Sequence, residues 1–145
     1  MNPVLSKQVG WILITSLVFF DAFLDILTGS RGSAFWNPIA NFIGVETPFL
    51  APVVVILIYL VVKMVGFVVQ KTDKTPRAEE LILTTFVIVY GVFDIWLVAV
   101  YFFNFTFIRD HRILAIPLMI IGWLYSFWAQ KNLHEKSLKG NKRLN

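Results

Sequence analysis

Four long apolar stretches, each about long enough to cross a bilayer, constrain this 145-residue chain more than any other feature. We predict membrane spans at about residues 9–28, 49–69, 81–103 and 113–128. Only 15% of the residues are charged, whereas a soluble domain carries roughly a quarter, so a water-soluble core is excluded. Because lipid offers no backbone hydrogen bonds, we expect an all-α integral membrane four-helix bundle, a single domain over residues 1–130.

The segment between the first two spans predicts a short helix lying on the outer leaflet. Asn37 is a suitable N-cap and Pro38 fits the first helical position, while Trp36 suits the headgroup level. A weak internal similarity relates FLDIL at residues 23–27 to VFDIW at residues 92–96. Since spans 1 and 3 run in the same direction, this similarity favours two helical hairpins related as a parallel repeat.

The basic residues are distributed unevenly and predict the orientation. Leaving out Lys63, nine lie on the side of the termini and three on the other, so both termini are expected in the cytoplasm of a multi-pass plasma-membrane protein. Asp21 and Asp25 interrupt the first apolar run, which favours a retained signal-anchor helix over a cleaved signal peptide. Residues 131–145 are expected to be a basic tail that contacts anionic lipid rather than nucleic acid, through Lys131, Lys136, Lys139, Lys142 and Arg143.

Three carboxylates lie inside the predicted spans. Asp21 and Asp25 are four residues apart and therefore share one face of span 1, while Asp94 lies in span 3. At ~1.5 Å per residue they lie ~18, ~24 and ~20 Å from the cytoplasmic ends of their spans, in one layer. Each costs ~2.5–3.5 kcal/mol at a helix centre on insertion scales, so each requires a partner or a function. Lys63 in span 2, ~12 Å from the inner surface, extends a long stem either towards Asp21 or Asp94 or down to the headgroups.

Two interpretations of these acids remain open. One is a proton or cation path, because intramembrane acids line such routes. The other is structural: Asp21 or Asp94 pairs with Lys63, and the remaining acids bond hydroxyl groups of this bundle or of a partner. One lysine cannot neutralise three acids. The hydroxyl candidates in this chain are Thr15, Ser16, Thr84, Thr85 and Tyr90.

A metal site at the outer face is a further alternative, with Asp25, Asp110 and His111 as candidate ligands. No ligand-spacing motif supports it, and we expect no cofactor. The sequence holds no G-x-S-x-G, H-E-x-x-H or phosphate-binding loop, and no cysteine. We therefore expect a protein that is not itself an enzyme.

The run Leu24 to Thr28 with Asn37-Pro38 resembles a family of short prokaryotic four-span membrane proteins that has no established activity. Its pattern is L-D-x-x-T in the first helix, a glycine-containing outer turn, and then N-P. This chain departs from that pattern by carrying Asp21 and more aromatic residues. The resemblance implies four spans and no catalytic residue.

The expected function is that of a non-catalytic accessory subunit in a larger multisubunit membrane complex, of which membrane oxidoreductases are a familiar kind. The acids outnumber the internal bases, which favours other membrane subunits as partners alongside the lipid bilayer. The competing hypothesis is a small proton or cation transporter or channel that uses Asp21, Asp25 and Asp94.

Overall fold

A computed structural model describes residues 2–29, 42–44, 46–105, 107–108 and 111–141, without the side chains at positions 47, 111–112 and 139–141. These residues form helices and connecting turns, and none of them lies in a β-strand. We number the long helices α1 (Lys7–Thr28), α2 (Ala51–Thr72), α3 (Ala78–Phe103) and α4 (His111–Asn141). A 3₁₀ turn, Thr47–Leu50, leads into α2. Trp36, Asn37 and Pro38 of the predicted outer helix lie outside the described residues.

Within the described ranges, four helical segments are long and apolar enough to cross a membrane: Lys7–Thr28, Pro48–Thr72, Ala78–Phe103 and Ile113–Leu138. The prediction of an all-helical chain with four candidate spans is confirmed. Most helices are a few residues longer than the apolar runs of the sequence, because their first and last turns contain polar residues. Ser6 caps α1 by accepting a hydrogen bond from the Val9 N–H, and Gly29, at φ 63°, ends it in the left-handed conformation.

Helix α3 packs against each of the other three helices. Its contact with α1 and α2 encloses the largest apolar core, which includes Ile14, Val18, Ile58, Val62 and Leu83. Two glycines allow these helices to approach closely. A Cβ on Gly66 of α2 would lie 3.1 Å from the Cα atom of Glu79, and one on Gly10 of α1 would lie 2.6 Å from Leu83.

Helix α4 packs on the opposite side of α3 and is joined to it by polar contacts. The hydroxyls of Thr85 and Ser126 lie 2.9 Å apart, and Gly122 faces Val89. Residues 2–6, which we call the N-terminal strap, lie against both helices. The Tyr125 hydroxyl donates to the Pro3 carbonyl, and the Leu5 N–H donates to Thr84 Oγ1 at 3.0 Å.

The last helix differs from the prediction of a span ending at residue 128 and a separate tail after residue 130. Helix α4 continues through 31 residues to Asn141. Ala129 and Leu133 are buried against Val4 of the strap and Leu81 of α3, and this contact keeps the chain helical beyond the apolar run. A helix of that length measures about 46 Å, which is longer than the ~30 Å hydrocarbon core of a bilayer.

Candidate intramembrane carboxyl site

The acids of α1 lie on its inner face. Ile14, Val18, Asp21 and Asp25 follow one another at helical spacing, so the apolar core of the bundle and the two carboxyls share one stripe of α1. Asp25 is buried, and the Tyr101 hydroxyl from α3 donates to its Oδ1 at 3.4 Å. Asp21, less than four turns from the start of α1, is half-buried.

Asp94 of α3 is the most deeply buried of the three acids, with 3% of its surface exposed. Among the described residues, neither of its carboxylate oxygens has a hydrogen-bond partner. Buried polar atoms are rarely left in this state, since an unsatisfied charged group costs several kcal/mol. Asp94 is therefore a polar group that the described part of the chain does not satisfy.

A groove of about 450 Å³ runs between α1 and α3 and contains Asp94 in its lining. Leu17 and Phe20 form the α1 side. On the α3 side, the lining residues recur at helical spacing and form one stripe along the helix: Gly91, Asp94, Ile95, Val98, Ala99 and Phe103. Ile95 is 71% exposed and Phe103 77%, so the groove opens onto the outer surface of the bundle. Its surface is almost entirely apolar, because the carboxyl oxygens of Asp94 are buried beneath it.

The carboxyls of α1 and α3 belong to one electrostatic group. Asp21 of α1 and Asp94 of α3 are near enough that their like charges repel each other when both are ionised, and Tyr90 lies near both. Asp21 also interacts with Asp25. The prediction that all three acids occupy one layer of a membrane stays a prediction.

Lys63 does not approach this cluster, and the predicted pair with Asp21 or Asp94 is wrong. Its Nζ atom lies 2.9 Å from Oε2 of Glu79, and Lys7 Nζ lies 2.8 Å from the same oxygen. Glu79 precedes Asp94 by about four turns of α3, or ~22 Å. A partner at the start of α3 is within reach of the lysine stem, and the acid layer is not.

The hydroxyls expected to satisfy the acids are mostly bonded elsewhere. Ser16 donates to the Ile12 carbonyl, Thr84 to the Glu80 carbonyl and Thr85 to the Leu81 carbonyl. Such bonds to the preceding turn are the usual local alternative for Ser and Thr in helices. Sequence reasoning missed Tyr101, whose hydroxyl donates a hydrogen bond to Asp25.

The other predicted site residues are only partly described. Lys131 and Lys136 lie on exposed positions of α4, while Lys142, Arg143 and Asp110 lie outside the described residues and the side chains of Lys139 and His111 are not described. Within the described ranges, no group of three or more His, Cys, Asp or Glu residues is placed to hold a metal ion.

A second polar group lies at the basic end of the bundle, the end that holds Lys7, Lys71, Lys74 and Arg77. Glu80 accepts a hydrogen bond from Arg77 at 2.6 Å and thereby raises the pKa of that arginine above its ordinary value. Beside this pair, Thr75 is buried and bonds Gln130 of α4. These contacts hold the helices together at the end of the bundle. Sequence reasoning did not predict that Glu79 and Glu80 form ion pairs.

No protein family, curated protein or solved structure matches this chain. The chemistry of the site therefore has to be argued from its own residues. Three carboxyls and two tyrosines in a largely apolar layer can exchange protons, bind a cation, or receive a donor side chain from another molecule.

Proposed function

We propose that the protein is a non-catalytic subunit of a larger membrane complex, in which another subunit completes its carboxyl layer. The observation that supports this proposal is Asp94, buried and lacking a hydrogen-bond partner among the described residues, in a groove that opens outward. Lipid tails offer no hydrogen-bond donor to this carboxyl. A neighbouring protein can offer one.

The proposed topology follows the charge distribution. The basic end faces the cytoplasm of a plasma membrane, and both termini lie on that side. Lys131 and Lys136 on α4, with the basic residues that follow, are proposed to contact anionic headgroups. The resemblance to short four-span prokaryotic proteins and the parallel repeat of two hairpins remain predictions.

The native mass of the gently solubilised protein tests the subunit role. The chain alone has a mass of 16.7 kDa. We expect it to leave its source membrane in a defined assembly of larger mass, with other polypeptides in fixed proportion. Recovery of the chain as a stable monomer, in a detergent that preserves other complexes of the same membrane, contradicts the proposal.

A second candidate function, a proton or cation path, is favoured by the buried carboxyls of Asp25 and Asp94, the first of which accepts a hydrogen bond from the Tyr101 hydroxyl. Adjoining acids and a phenol at this depth are the side chains from which intramembrane proton relays are built. Its test is ion flux in proteoliposomes. Asp94→Asn and Asp21→Asn abolish the flux if this function holds, whereas no flux in the parent protein, or unchanged flux in both variants, excludes it.

A further inference from the structure

We infer that the groove between α1 and α3 receives a transmembrane helix of a different protein, which places a Lys or Arg side chain against Asp94. This inference rests on the proposed subunit role and specifies the surface and the chemistry of the partner. Three observations support it: the burial of Asp94, the shape of the α3 stripe and the position of every base in the described spans.

The first argument is charge. A buried carboxylate is tolerated in a membrane when it faces a counter-charge or a water-filled cavity, and the walls of this groove are apolar. A cationic side chain on a neighbouring helix supplies both the counter-charge and N–H donors. Burying a carboxylate without its cationic partner has a large cost in free energy. The contact therefore favours a partner helix that carries a cation over one that does not.

The second argument excludes a second copy of this chain as the source of the cation. Lys63 is the only basic residue in the interior of the apolar runs, and it is held by Glu79 at the basic end. A symmetric dimer through the groove would bring Asp94 towards a like charge. The cation must therefore come from a chain of different sequence.

The third argument is the surface of α3. Gly91 and Ala99 lie eight residues apart on the stripe that carries Asp94, and such small side chains let a neighbouring helix approach closely. A Cβ placed on Gly91 would meet only Leu17 Cδ1, at 4.0 Å, so the position is open on the groove side. Ile95 lies between the two small residues and is exposed to contact the incoming helix.

The test compares native masses of the complex extracted from its source membrane, for the parent chain and four variants. Asp94→Asn keeps the shape but removes the charge, and we expect loss of the partner. Asp94→Glu restores the charge and should restore the partner. Gly91→Leu fills the groove and should also release it. Glu135→Gln, a change of an exposed acid on α4 that lies outside the carboxyl layer, should leave the assembly intact.

Each outcome separates the inference from the proposed function. A complex that survives Asp94→Asn or Gly91→Leu overturns the inference and leaves the subunit role standing. Loss of the partner in Asp94→Glu as well as in Asp94→Asn overturns the charge argument. A mass that equals two copies of the chain, or a partner whose spans contain no Lys or Arg, also overturns the inference. A monomeric parent chain overturns both proposals.

Discussion

Lys63 Nζ lies 2.9 Å from Glu79 Oε2, and this ion pair joins α2 to α3 at the basic end of the bundle. Lys7 of α1 bonds the same oxygen, so one carboxylate connects three helices. Lys63 is thereby held about four helical turns from Asp94. The structure thus separates a satisfied ionic cluster at the end of the bundle from an unsatisfied acid within it.

Removal of the shared carboxylate should weaken the bundle. In Glu79→Gln, Lys7 and Lys63 both lose their counter-ion, and we expect the thermal midpoint to fall by roughly 2–4 °C. The difference should shrink at high salt, because these groups are partly exposed and screened. Glu80→Gln is the matched control and should have the smaller effect, since Glu80 pairs with Arg77 alone among the described residues. Equal effects of the two changes contradict the account.

The close approach of α2 and α3 predicts a different response at two glycines. Gly66→Ala places a methyl group 3.1 Å from the Glu79 Cα atom, where backbone cannot give way, and should cost about 1–3 kcal/mol of unfolding free energy. Gly91→Ala places its methyl in the open groove and should cost little. Denaturant titration of the two variants in the same detergent makes the comparison. If Gly91→Ala is the more damaging change, the packing described for α3 is wrong.

Trp96 fixes the turn between α3 and α4. Its indole N–H donates to the Ile108 carbonyl at 2.9 Å, and Trp96→Phe leaves that carbonyl without this donor. We expect a loss of about 1–3 kcal/mol in unfolding free energy. Trp123→Phe, at a position 67% exposed, is the matched control and should change stability little. Indistinguishable stabilities of the two variants would rule out a structural role for the indole bond.

The N-terminal strap should loosen when its contact with α4 is removed. Tyr125→Phe removes the hydroxyl that donates to the Pro3 carbonyl. Because a typical hydrogen bond contributes about 0.5–1.5 kcal/mol, the Leu5 amide should exchange its hydrogen about 2–10-fold faster. Tyr59→Phe on the exposed surface of α2 should leave that rate unchanged, and hydrogen exchange measured by mass spectrometry distinguishes the two. An unchanged Leu5 rate in Tyr125→Phe shows that other contacts hold the strap.

The isolated chain should tolerate neutralisation of Asp94. An unsatisfied buried carboxylate destabilises the monomer, so Asp94→Asn should raise or preserve its thermal midpoint in detergent even though it releases the partner. Tyr101→Phe should lower the midpoint, since it removes the hydroxyl that donates to Asp25. A lower midpoint in Asp94→Asn than in Tyr101→Phe would show that Asp94 is satisfied within its own chain.

The sequence predicted the four helices because the length of an apolar run is a local property. It placed the end of the last helix too early, since the buried contact of Ala129 and Leu133 with Val4 depends on the fold. The depth of the three acids in a membrane, expected from a rise of ~1.5 Å per residue, stays a prediction. Which side chains face each other could not be predicted, because helix rotation is set by packing. Lys63 therefore received the wrong partner, and the groove beside Asp94 was not anticipated.

The most direct test of the central claim is photo-cross-linking from position 95 in the native membrane. The exposed Ile95 borders Asp94 in the groove, so a diazirine amino acid at this position should react with one protein partner, and Asp94→Asn should abolish that adduct. The same label at Leu60, exposed on α2, should not give that adduct. Lipid adducts alone at position 95, or a protein adduct that persists in Asp94→Asn, would contradict the claim that another chain satisfies the buried acid.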